Sequence, residues 1–400
     1  MTIKEFIELV TSHINHRKSS INLISSENYS SPLVRTILAS DLSNRYSSDY
    51  YGGTKFINRI IQKTEEYIRE LFNSDYAIVS PLSGNMCDLA IVLGLTKPGN
   101  KIMVVNDGEN GGYPLDYEFF GRKKLTFHYS MEDMNLLIEE NIEAIKKLKP
   151  SLVIFGSSFI PFPHPVKEIT KEFERRKTIN FVYDGSHVLG LIASKEFQDP
   201  LREGAHVLIG STHKSFPGPQ GGIVLTNDME RNETLSSILD FDLEKGIRLI
   251  DNNHPHHIAA LGIASLEMLE FGSDYAKQII SNSKALAKSL DIYNVPVKFK
   301  HLDYTESHQI ILETKSYDTN LAIKERAEEI GLIIDSGIRI GTAEITRMGM
   351  RELEMKELGE IIARIYFNDI SNDLSRRIRD LANIFSKPSF CFSSLEEIKF

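Results

Sequence analysis

Short apolar runs alternate with helical patterns along most of the chain, and this alternation predicts an α/β fold. The helical patterns place apolar residues three or four positions apart, as in 3–16, in 56–71 and in the run after Ser83. The apolar runs have four or five residues and are bounded by turn residues, which is typical of buried strands in a mostly parallel sheet. They lie at 77–80, 101–105, 152–155, 180–183, 206–209 and 222–225.

Both ends of the chain depart from this alternation, and we use them to predict domain boundaries. Residues 1–30 form an amphipathic helix followed by a polar arm with few apolar anchors. Residues 31–265 carry the strand and helix alternation and form the predicted large domain. A long helical pattern at 256–293 covers the predicted junction. Residues 266–400 mix strand-like and helical segments, and they form a predicted smaller α+β domain.

Composition narrows the classes of partner. The 400 residues carry 46 basic and 55 acidic side chains and a net charge of −9, which argues against nucleic acid and anionic membranes as partners. No segment reaches the roughly 18 apolar residues that a membrane-spanning helix needs. The two cysteines, Cys87 and Cys391, are too far apart in sequence to suggest a disulfide framework or a metal site. We therefore predict a cytoplasmic protein with no metal.

Lys214 and Asp184 carry the most specific chemistry. Lys214 lies in a turn-rich segment between two apolar runs, and Asp184 is the first polar residue after another. A desolvated lysine amine forms a Schiff base, and a carboxylate keeps a pyridine nitrogen protonated. Together they indicate pyridoxal 5'-phosphate. Taken singly, the lysine also fits a surface charge and the aspartate also fits a turn cap.

Two further segments and one histidine extend this prediction of a cofactor site. Ser83, Gly84 and Asn85 precede an apolar helical run, where free N–H groups favour an anion such as phosphate, although a plain helix cap uses the same residues. Arg339 lies between apolar residues and glycines, and its planar guanidinium suits a substrate carboxylate. An internal salt bridge is the alternative for Arg339. His187, three residues after Asp184, is a candidate donor to the cofactor's phenolic oxygen.

The order of these segments resembles that of the serine hydroxymethyltransferase family, a group of fold-type-I pyridoxal-phosphate enzymes. The resemblance covers nearly the whole chain. The matching segments are Leu23–Asn28, Tyr50–Thr54, Pro81–Asn85, Asp184–Leu191, Thr212–Lys214, Gly218–Gly222 and Gly337–Thr342.

The resemblance implies a large domain with a mostly parallel seven-stranded sheet and a smaller α+β C-terminal domain. It implies that Lys214 is the Schiff-base lysine and that Asp184 contacts the ring nitrogen. It assigns the remaining cofactor and catalytic contacts to Ser83, Gly84, Asn85, Tyr113, Ser158, His187 and His213. Ser26 and Arg339 would bind the carboxylate of an amino-acid substrate. Tyr51 would enter the site of a neighbouring subunit in a homodimer or tetramer.

Three departures from the family pattern bear on the reaction. A family segment with a proton-transferring glutamate is shortened to Ser47-Ser48-Asp49, so Asp49 is the acid that remains. Tyr113 stands where the family stacks a histidine on the ring, and tyrosine does not exchange protons near neutral pH. The folate-contacting loop before Arg339 is shortened as well, which leaves the use of tetrahydrofolate open.

These observations favour an enzyme that makes or breaks the Cα–Cβ bond of a β-hydroxy amino acid, as an aldolase or transaldolase of the hydroxymethyltransferase type. The base that removes the proton of the substrate hydroxyl is not assigned, and its candidates are Asp49, Glu109 and His213. One alternative keeps the cofactor but transaminates, racemises or decarboxylates an amino acid, because the same cofactor supports each reaction. Another alternative is a non-catalytic homologue.

Overall fold

The computed structural model describes residues 1–48, 50–174, 178–240, 246–313, 316–337 and 339–394, without the side chain of Glu109. The chain divides into two compact units. One contains Ser30–Ser273 and Cys391–Phe400, and the other contains Met1–Tyr29 and Asp274–Phe390. The boundaries predicted at residues 30 and 265 remain a prediction about separately folding domains. Among the described residues, no helix has the length and apolar character that a membrane span requires.

The helices and strands follow each other in the order that the alternating pattern indicates. The helices are α1 (Ile3–Lys18), α2 (Pro32–Leu38), α3 (Lys55–Phe72), α4 (Gly84–Leu95), α5 (Ile138–Leu148), α6 (Val166–Thr170), α7 (Leu189–Ala193), α8 (Met229–Leu239), α9 (Pro255–Ile292), α10 (Tyr317–Glu329), α11 (Ala343–Arg347), α12 (Glu352–Tyr366) and α13 (Asn372–Ile384). The strands are β1 (Ile21–Asn22), β2 (Tyr76–Ile78), β3 (Lys101–Val104), β4 (Lys123–Thr126), β5 (Tyr129–Ser130), β6 (Asn135–Leu136), β7 (Leu152–Phe155), β8 (Asn180–Asp184), β9 (Val207–Ser211), β10 (Gly222–Thr226), β11 (Gln309–Ile311), β12 (Leu332–Ile333) and β13 (Arg339–Gly341).

A seven-stranded sheet organises the larger unit, in the order β2-β10-β9-β8-β7-β3-β4. Within this sheet, five neighbouring strands run parallel, namely β4, β3, β7, β8 and β9. Strand β10 runs antiparallel to both β9 and β2. Strands β7, β9 and β10 are buried along their whole length, which explains their uninterrupted apolar sequences. The predicted fold class, α/β with a mostly parallel seven-stranded sheet, is confirmed.

Strand β4 is the part of the sheet that the sequence pattern did not indicate. Its residues are half-exposed or exposed, and two of the four are lysines. A charged edge strand is a common protection against pairing with other chains, and it removes the apolar signal that identifies a buried strand. The edge position therefore explains why the pattern missed it.

The loops that follow β3, β7, β8 and β9 leave the sheet at the carboxyl ends of parallel strands. In open α/β sheets, ligands bind at this edge. Helix α4 packs on β9 and β10. The fold thus brings the beginning of α4 to the same part of the larger unit as these loops.

The smaller unit combines two short strand pairs with helices. Strand β1 from the N-terminal arm pairs in parallel with β12, and β11 pairs antiparallel with β13. An apolar core joins the arm to the C-terminal helices through residues such as Leu23, Leu332 and Leu358. Helix α1 differs, because none of its residues is buried.

Candidate active site

The beginning of α4 is shaped by a glycine that has no space for a side chain. The Ser83 hydroxyl accepts a hydrogen bond from the N–H of Met86 at 3.2 Å and caps the helix. A Cβ atom added at Gly84 would collide with the Ser211 hydroxyl and lie 3.0 Å from the Ser186 hydroxyl. Helix starts of this kind offer N–H groups and a positive dipole end to an anion. The phosphate site predicted at Ser83, Gly84 and Asn85 therefore has a suitable local geometry.

Backbone hydrogen bonds close the segment that carries Lys214 into a tight loop. The N–H of Thr212 donates to the carbonyl of Gly221 at 3.1 Å, and the N–H of Gly218 donates to the carbonyl of Thr212 at 2.9 Å. The Thr212 hydroxyl donates to the carbonyl of Pro219 at 2.7 Å. Lys214 and its neighbour His213 are half-buried within this loop. The turn residues thus hold the lysine where β9 ends.

Asp184 is the last residue of β8, and its carboxylate is held by the backbone that follows. Its Oδ1 accepts a hydrogen bond from the N–H of Ser186 at 2.9 Å. The Ser186 hydroxyl in turn accepts from the N–H of Ser211 at 3.1 Å, which links the ends of β8 and β9. His187 comes next and is 5% exposed. The predicted ring-nitrogen acid and the predicted Schiff-base lysine therefore follow neighbouring, directly connected strands.

The loops after β3 and β7 meet near the start of α4. The N–H of Ser158 donates to the carbonyl of Gly111 at 2.6 Å. Two residues later, the Tyr113 hydroxyl donates to Asn85 Oδ1 at 2.9 Å. Burial raises the pKa of the Tyr113 hydroxyl, and the nearby carboxylates of Asp88 and Asp184 raise it further. Tyr113 therefore stays protonated near neutral pH and can serve as an aromatic surface or a hydrogen-bond donor.

Asp88 is a site residue that the sequence analysis missed. It lies one turn after Gly84 on α4, and it is 3% exposed. Burial raises the pKa of its carboxyl well above the usual range, the negative charge of Asp184 raises it further, and Lys214 opposes this effect. The available signal was its position as the one charged residue in the apolar α4 sequence.

Arg339 and Ser26, the predicted carboxylate-binding pair, both lie in the smaller unit. The N–H of Gly341 in β13 donates to the carbonyl of Leu23 at 2.8 Å, and Ile24 forms a bridge with Ile340. A Cβ atom at Gly341 would collide with Ser25, so the arm that carries Ser26 packs directly on β13. The structure therefore brings the two segments of this pair together.

The Arg339 side chain has an internal counter-ion. Its Nη2 lies 3.3 Å from Oδ2 of Asp335, and the two side chains are 10% and 27% exposed. The N–H of Arg339 also donates to Asp335 Oδ1 at 3.3 Å. Burial lowers the pKa of the guanidinium, and Asp335 partly offsets this. The internal salt bridge that the sequence analysis gave as the alternative for Arg339 is therefore present, and the carboxylate-binding role stays a prediction.

Three residues named in the sequence analysis remain, namely Tyr51, Asp49 and Glu109. Tyr51 is exposed and packs against Tyr46 and Tyr50, with ring centroids 4.7 and 5.2 Å away. The structure shows no contact between Tyr51 and the residues of the larger unit named above, as far as the described contacts extend. Asp49 and the side chain of Glu109, two of the candidate bases, fall outside the described residues.

The residues of the larger unit fit pyridoxal 5'-phosphate. The α4 start has no space for a side chain at Gly84 and suits a phosphate, Lys214 would supply the amine, and Asp184 would supply the acid for the ring nitrogen. We call this set, with Asn85 and Tyr113, the cofactor cradle. A sheet-edge cradle of this composition defines a pyridoxal-phosphate enzyme of fold type I.

Comparisons with known proteins specify the family. The family sequence model described as serine hydroxymethyltransferase matches residues 1–362. Serine hydroxymethyltransferase of Methanothermobacter thermautotrophicus is 38% identical over 418 aligned positions, which cover 98% of this chain and 96% of that protein. Serine hydroxymethyltransferase of Methanocaldococcus jannaschii is also 38% identical, and the alignment covers 96% of this chain and 94% of that protein. The chain belongs to the serine hydroxymethyltransferase family.

A solved structure supports the fold independently. L-threonine transaldolase from Pseudomonas fluorescens, in its internal aldimine state, superimposes with a TM-score of 0.88 at 23% sequence identity. The match covers 97% of this chain and 94% of the other. Family membership makes the chain a pyridoxal-phosphate-dependent enzyme of the hydroxymethyltransferase type, which acts on a Cα–Cβ bond.

Proposed function

We propose that the enzyme cleaves and forms the Cα–Cβ bond of β-hydroxy amino acids of the serine and threonine type. Cleavage removes the proton of the substrate hydroxyl, breaks the Cα–Cβ bond and releases an aldehyde, and a proton added at Cα then gives glycine. The observation that carries the proposal is the meeting of Lys214, Asp184 and the α4 start at the carboxyl edge of one sheet.

The residues of the cradle have separate tasks in this proposal. When bound, pyridoxal phosphate supplies an electron-withdrawing ring that takes up the electron pair of the broken bond. Lys214 would hold the cofactor covalently through its amine. Asp184 would keep a proton on the ring nitrogen, and the Ser186 N–H holds its carboxylate in place. Tyr113 donates to Asn85 and would offer an aromatic surface to the ring.

Arg339 and Ser26 bind the substrate carboxylate in this proposal. Two parallel N–H groups of a guanidinium fix a carboxylate in one plane, and this determines which Cα bond is set for cleavage. His187 and Ser158 are assigned to the phenolic oxygen, and His213 to the phosphate. Asp49, Glu109 and His213 are the candidates for the base that removes the proton of the substrate hydroxyl.

The proposed reaction proceeds without tetrahydrofolate. Only residues 334–338 separate β12 from β13, where the family pattern carries a longer folate-contacting loop. An aldehyde can leave directly when the substrate hydroxyl is deprotonated, so the chemistry does not require a carrier. The amino acid and the aldehyde are then the small-molecule partners of the enzyme.

We also propose a cytoplasmic homodimer in which Tyr51 contributes to the partner's site. The exposed apolar residues of α1 support a protein interface, since Phe6, Ile7 and Val10 are 54, 56 and 46% exposed on one face of the helix. The exposed position of Tyr51 fits the same arrangement. In the part of the chain that the structure describes, Cys87 and Cys391 do not form a disulfide, which fits a reducing compartment. Sedimentation of the purified protein tests the dimer.

The function is tested by incubating the purified enzyme with pyridoxal phosphate and serine, threonine or glycine, with and without tetrahydrofolate. We expect aldehyde and glycine from at least one β-hydroxy amino acid without folate. The Lys214→Ala variant should lose the absorbance of the covalently held cofactor and at least about a hundredfold in rate. Lys356→Ala, which removes an exposed lysine of α12, is the matched control.

Three outcomes would contradict parts of the proposal. Keto-acid, enantiomer or amine products without aldehyde would favour transamination, racemisation or decarboxylation. Cofactor binding without any turnover would favour a non-catalytic homologue. Full activity and unchanged absorbance in Lys214→Ala would remove the lysine assignment itself.

A further inference from the structure

We propose that His308 is a positioning residue for the substrate carboxylate: its ring N–H holds the peptide group between Ser25 and Ser26, and this hydrogen bond orients Ser26 for the carboxylate that it binds. The proposal rests on the role proposed above for Ser26. It adds a residue that does not touch the substrate and acts through the Ser26 side chain. His308 is 0% exposed and belongs to the smaller unit, as Ser26 does.

Ser25 and Ser26 are the two central residues of a tight turn in the arm. The N–H of Glu27 donates to the carbonyl of Ile24 at 3.1 Å and closes this turn. In a four-residue turn, the central peptide group is oriented by ψ of the first central residue and φ of the second. Rotation of this peptide group therefore changes φ of Ser26 and moves its side chain. A contact that fixes the central peptide group also fixes Ser26.

His308 makes a direct hydrogen bond to the central peptide group of the turn. Its Nε2 lies 2.9 Å from the carbonyl oxygen of Ser25, and both residues are 0% exposed. A carbonyl oxygen only accepts hydrogen bonds, so Nε2 of His308 carries a proton and donates. Rotation of the peptide group would break this bond, and losing a buried hydrogen bond is costly because water cannot replace it.

The backbone of His308 is attached to the segment that carries Arg339. The N–H of Thr342 donates to the carbonyl of His308 at 3.0 Å. His308 also directly precedes β11, in which Ile311 lies opposite Arg339 of β13. His308 therefore connects the strand of Arg339 with the turn of Ser26, so that the two predicted carboxylate contacts share one support.

Other contacts of the turn act in the same direction. A Cβ atom added at Gly341 would collide with the Cα atom of Ser25, so the turn lies directly against β13. Beyond the turn, the side-chain amide of Asn28 donates to the hydroxyl of Tyr275 at 3.0 Å. The arm is therefore held at Ser25 and again at Asn28, and Ser26 lies between the two attachments.

A buried histidine can also serve only the stability of the fold, and two substitutions separate that role from positioning. His308→Gln keeps an N–H donor the same number of bonds from the backbone as Nε2 of histidine, whereas the amide of His308→Asn is one bond shorter. Both variants keep a polar side chain in the buried site. A difference between them therefore reports on the reach of the donor.

The test is calorimetric titration of glycine into the full-length enzyme loaded with pyridoxal phosphate. We expect His308→Gln to bind glycine within about twofold of wild type and His308→Asn to bind it about five- to fiftyfold more weakly. Asn282→Leu is the matched control. It removes another fully buried side chain of the same unit, which donates to the carbonyl of Met350 at 2.9 Å, and it should leave glycine binding unchanged.

Coupling to Ser26 is the second readout, and a histidine that only stabilises the fold would not show it. Ser26→Ala should weaken glycine binding by itself. Adding His308→Asn to Ser26→Ala should then weaken binding by no more than about twofold, because the side chain through which His308 acts is already absent. In steady-state kinetics, KM for the β-hydroxy amino acid should follow the same order of variants, while the absorbance of the bound cofactor stays as in wild type.

The following results would overturn the proposal. Equal glycine affinity in His308→Asn and wild type would show that the hydrogen bond does not orient Ser26. Equal weakening in both His308 variants, or effects that multiply with that of Ser26→Ala, would assign His308 to the fold alone. Should His308→Asn not fold, weakened binding in a folded His308→Gln would have the same meaning. Unchanged binding in Ser26→Ala would remove the proposed role of Ser26 as well, whereas the other results leave that role intact.

Discussion

The cofactor cradle and Arg339, the proposed carboxylate-binding residue of the smaller unit, hold their charges in different ways. In the cradle, Lys214 and Asp184 follow buried strands, and backbone hydrogen bonds to Thr212 and from Ser186 fix their segments. In the smaller unit, Arg339 lies on a three-residue strand and meets Asp335, four residues earlier. In the cradle, a hydrogen bond between Ser211 and Ser186 links the ends of two neighbouring strands. Arg339 instead pairs with an acid of its own chain segment.

This difference separates the consequences of substitution. Changes in the cradle should reduce the rate of the reaction or the binding of the cofactor, because the segments there are fixed by backbone hydrogen bonds. Changes at Arg339 and Asp335 should mainly alter the affinity for the substrate carboxylate. Measuring kcat and KM for each variant therefore tests whether the two groups of residues differ in this way.

The largest effect is expected for Asp184→Asn. The amide keeps the shape and can still accept the Ser186 N–H, but it cannot keep a proton on the ring nitrogen. We expect kcat to fall by about 10² to 10⁴ with the cofactor still bound. Steady-state kinetics and cofactor absorbance measure this. Asp228→Asn at the α8 cap is the charge-matched control. An unchanged kcat would show that the cradle does not use this acid.

Arg339→Lys should act on substrate affinity. Lysine keeps the positive charge but loses the planar pair of donors, so a charged hydrogen bond worth about 1.5–3 kcal/mol is lost. We expect KM for the amino acid to rise about tenfold to a hundredfold, with a smaller change in kcat. Arg376→Lys, an exposed arginine of α13, is the control. A fall in kcat without a rise in KM would place Arg339 among the groups that act on the reaction itself.

Gly84→Ala tests the rigidity of the cradle. The new methyl group would collide with the Ser211 hydroxyl, and over-packing of this kind costs about 1–3 kcal/mol. We expect weaker binding of pyridoxal phosphate, by about five- to a hundredfold, measured by titrating the cofactor into the apoprotein. Gly52→Ala is a suitable control because no atom lies within 4 Å of its added Cβ. Equal affinity in Gly84→Ala and wild type would mean that the α4 start can shift.

The smallest effect is expected for Asp335→Asn. The Asp335 side chain is 27% exposed and its Oδ2 lies 3.3 Å from Arg339 Nη2, so this ion pair contributes about 1 kcal/mol or less. Because Asp335 competes with the substrate for the guanidinium, its loss should lower KM by about two- to fivefold. A higher KM would instead show that Asp335 orients Arg339.

The sequence predicted the elements whose signals are local. The buried strands β7, β9 and β10 are continuous apolar runs, and Ser83 with Gly84 marked the start of α4. Edge strand β4 was missed because its exposed lysines carry no such signal. Asp88 was missed because Asp184, the acid that it interacts with, is distant in sequence and comes near only after folding. The antiparallel direction of β10 depends on the whole sheet and has no local pattern.

The sequence analysis did not identify the pairing partner of the arm. It predicts a helix and an arm over residues 1–30, and no local pattern indicates that Ile21 pairs with Leu332 in the smaller unit. Two residues of strand are too short to be identified from a periodic pattern. The pairing partner, more than three hundred positions away, is set by the tertiary fold.

The pairing of β1 with β12 has a consequence for synthesis of the chain. The arm is synthesised well before its partner strand, which follows more than three hundred residues later. Residues Ser30–Ser273, which carry all strands of the seven-stranded sheet, are available before that partner strand and can fold in the meantime. Arg339 therefore reaches its final surroundings late, and a nascent chain that stalls before Leu332 would contain every strand of the seven-stranded sheet but lack the arginine.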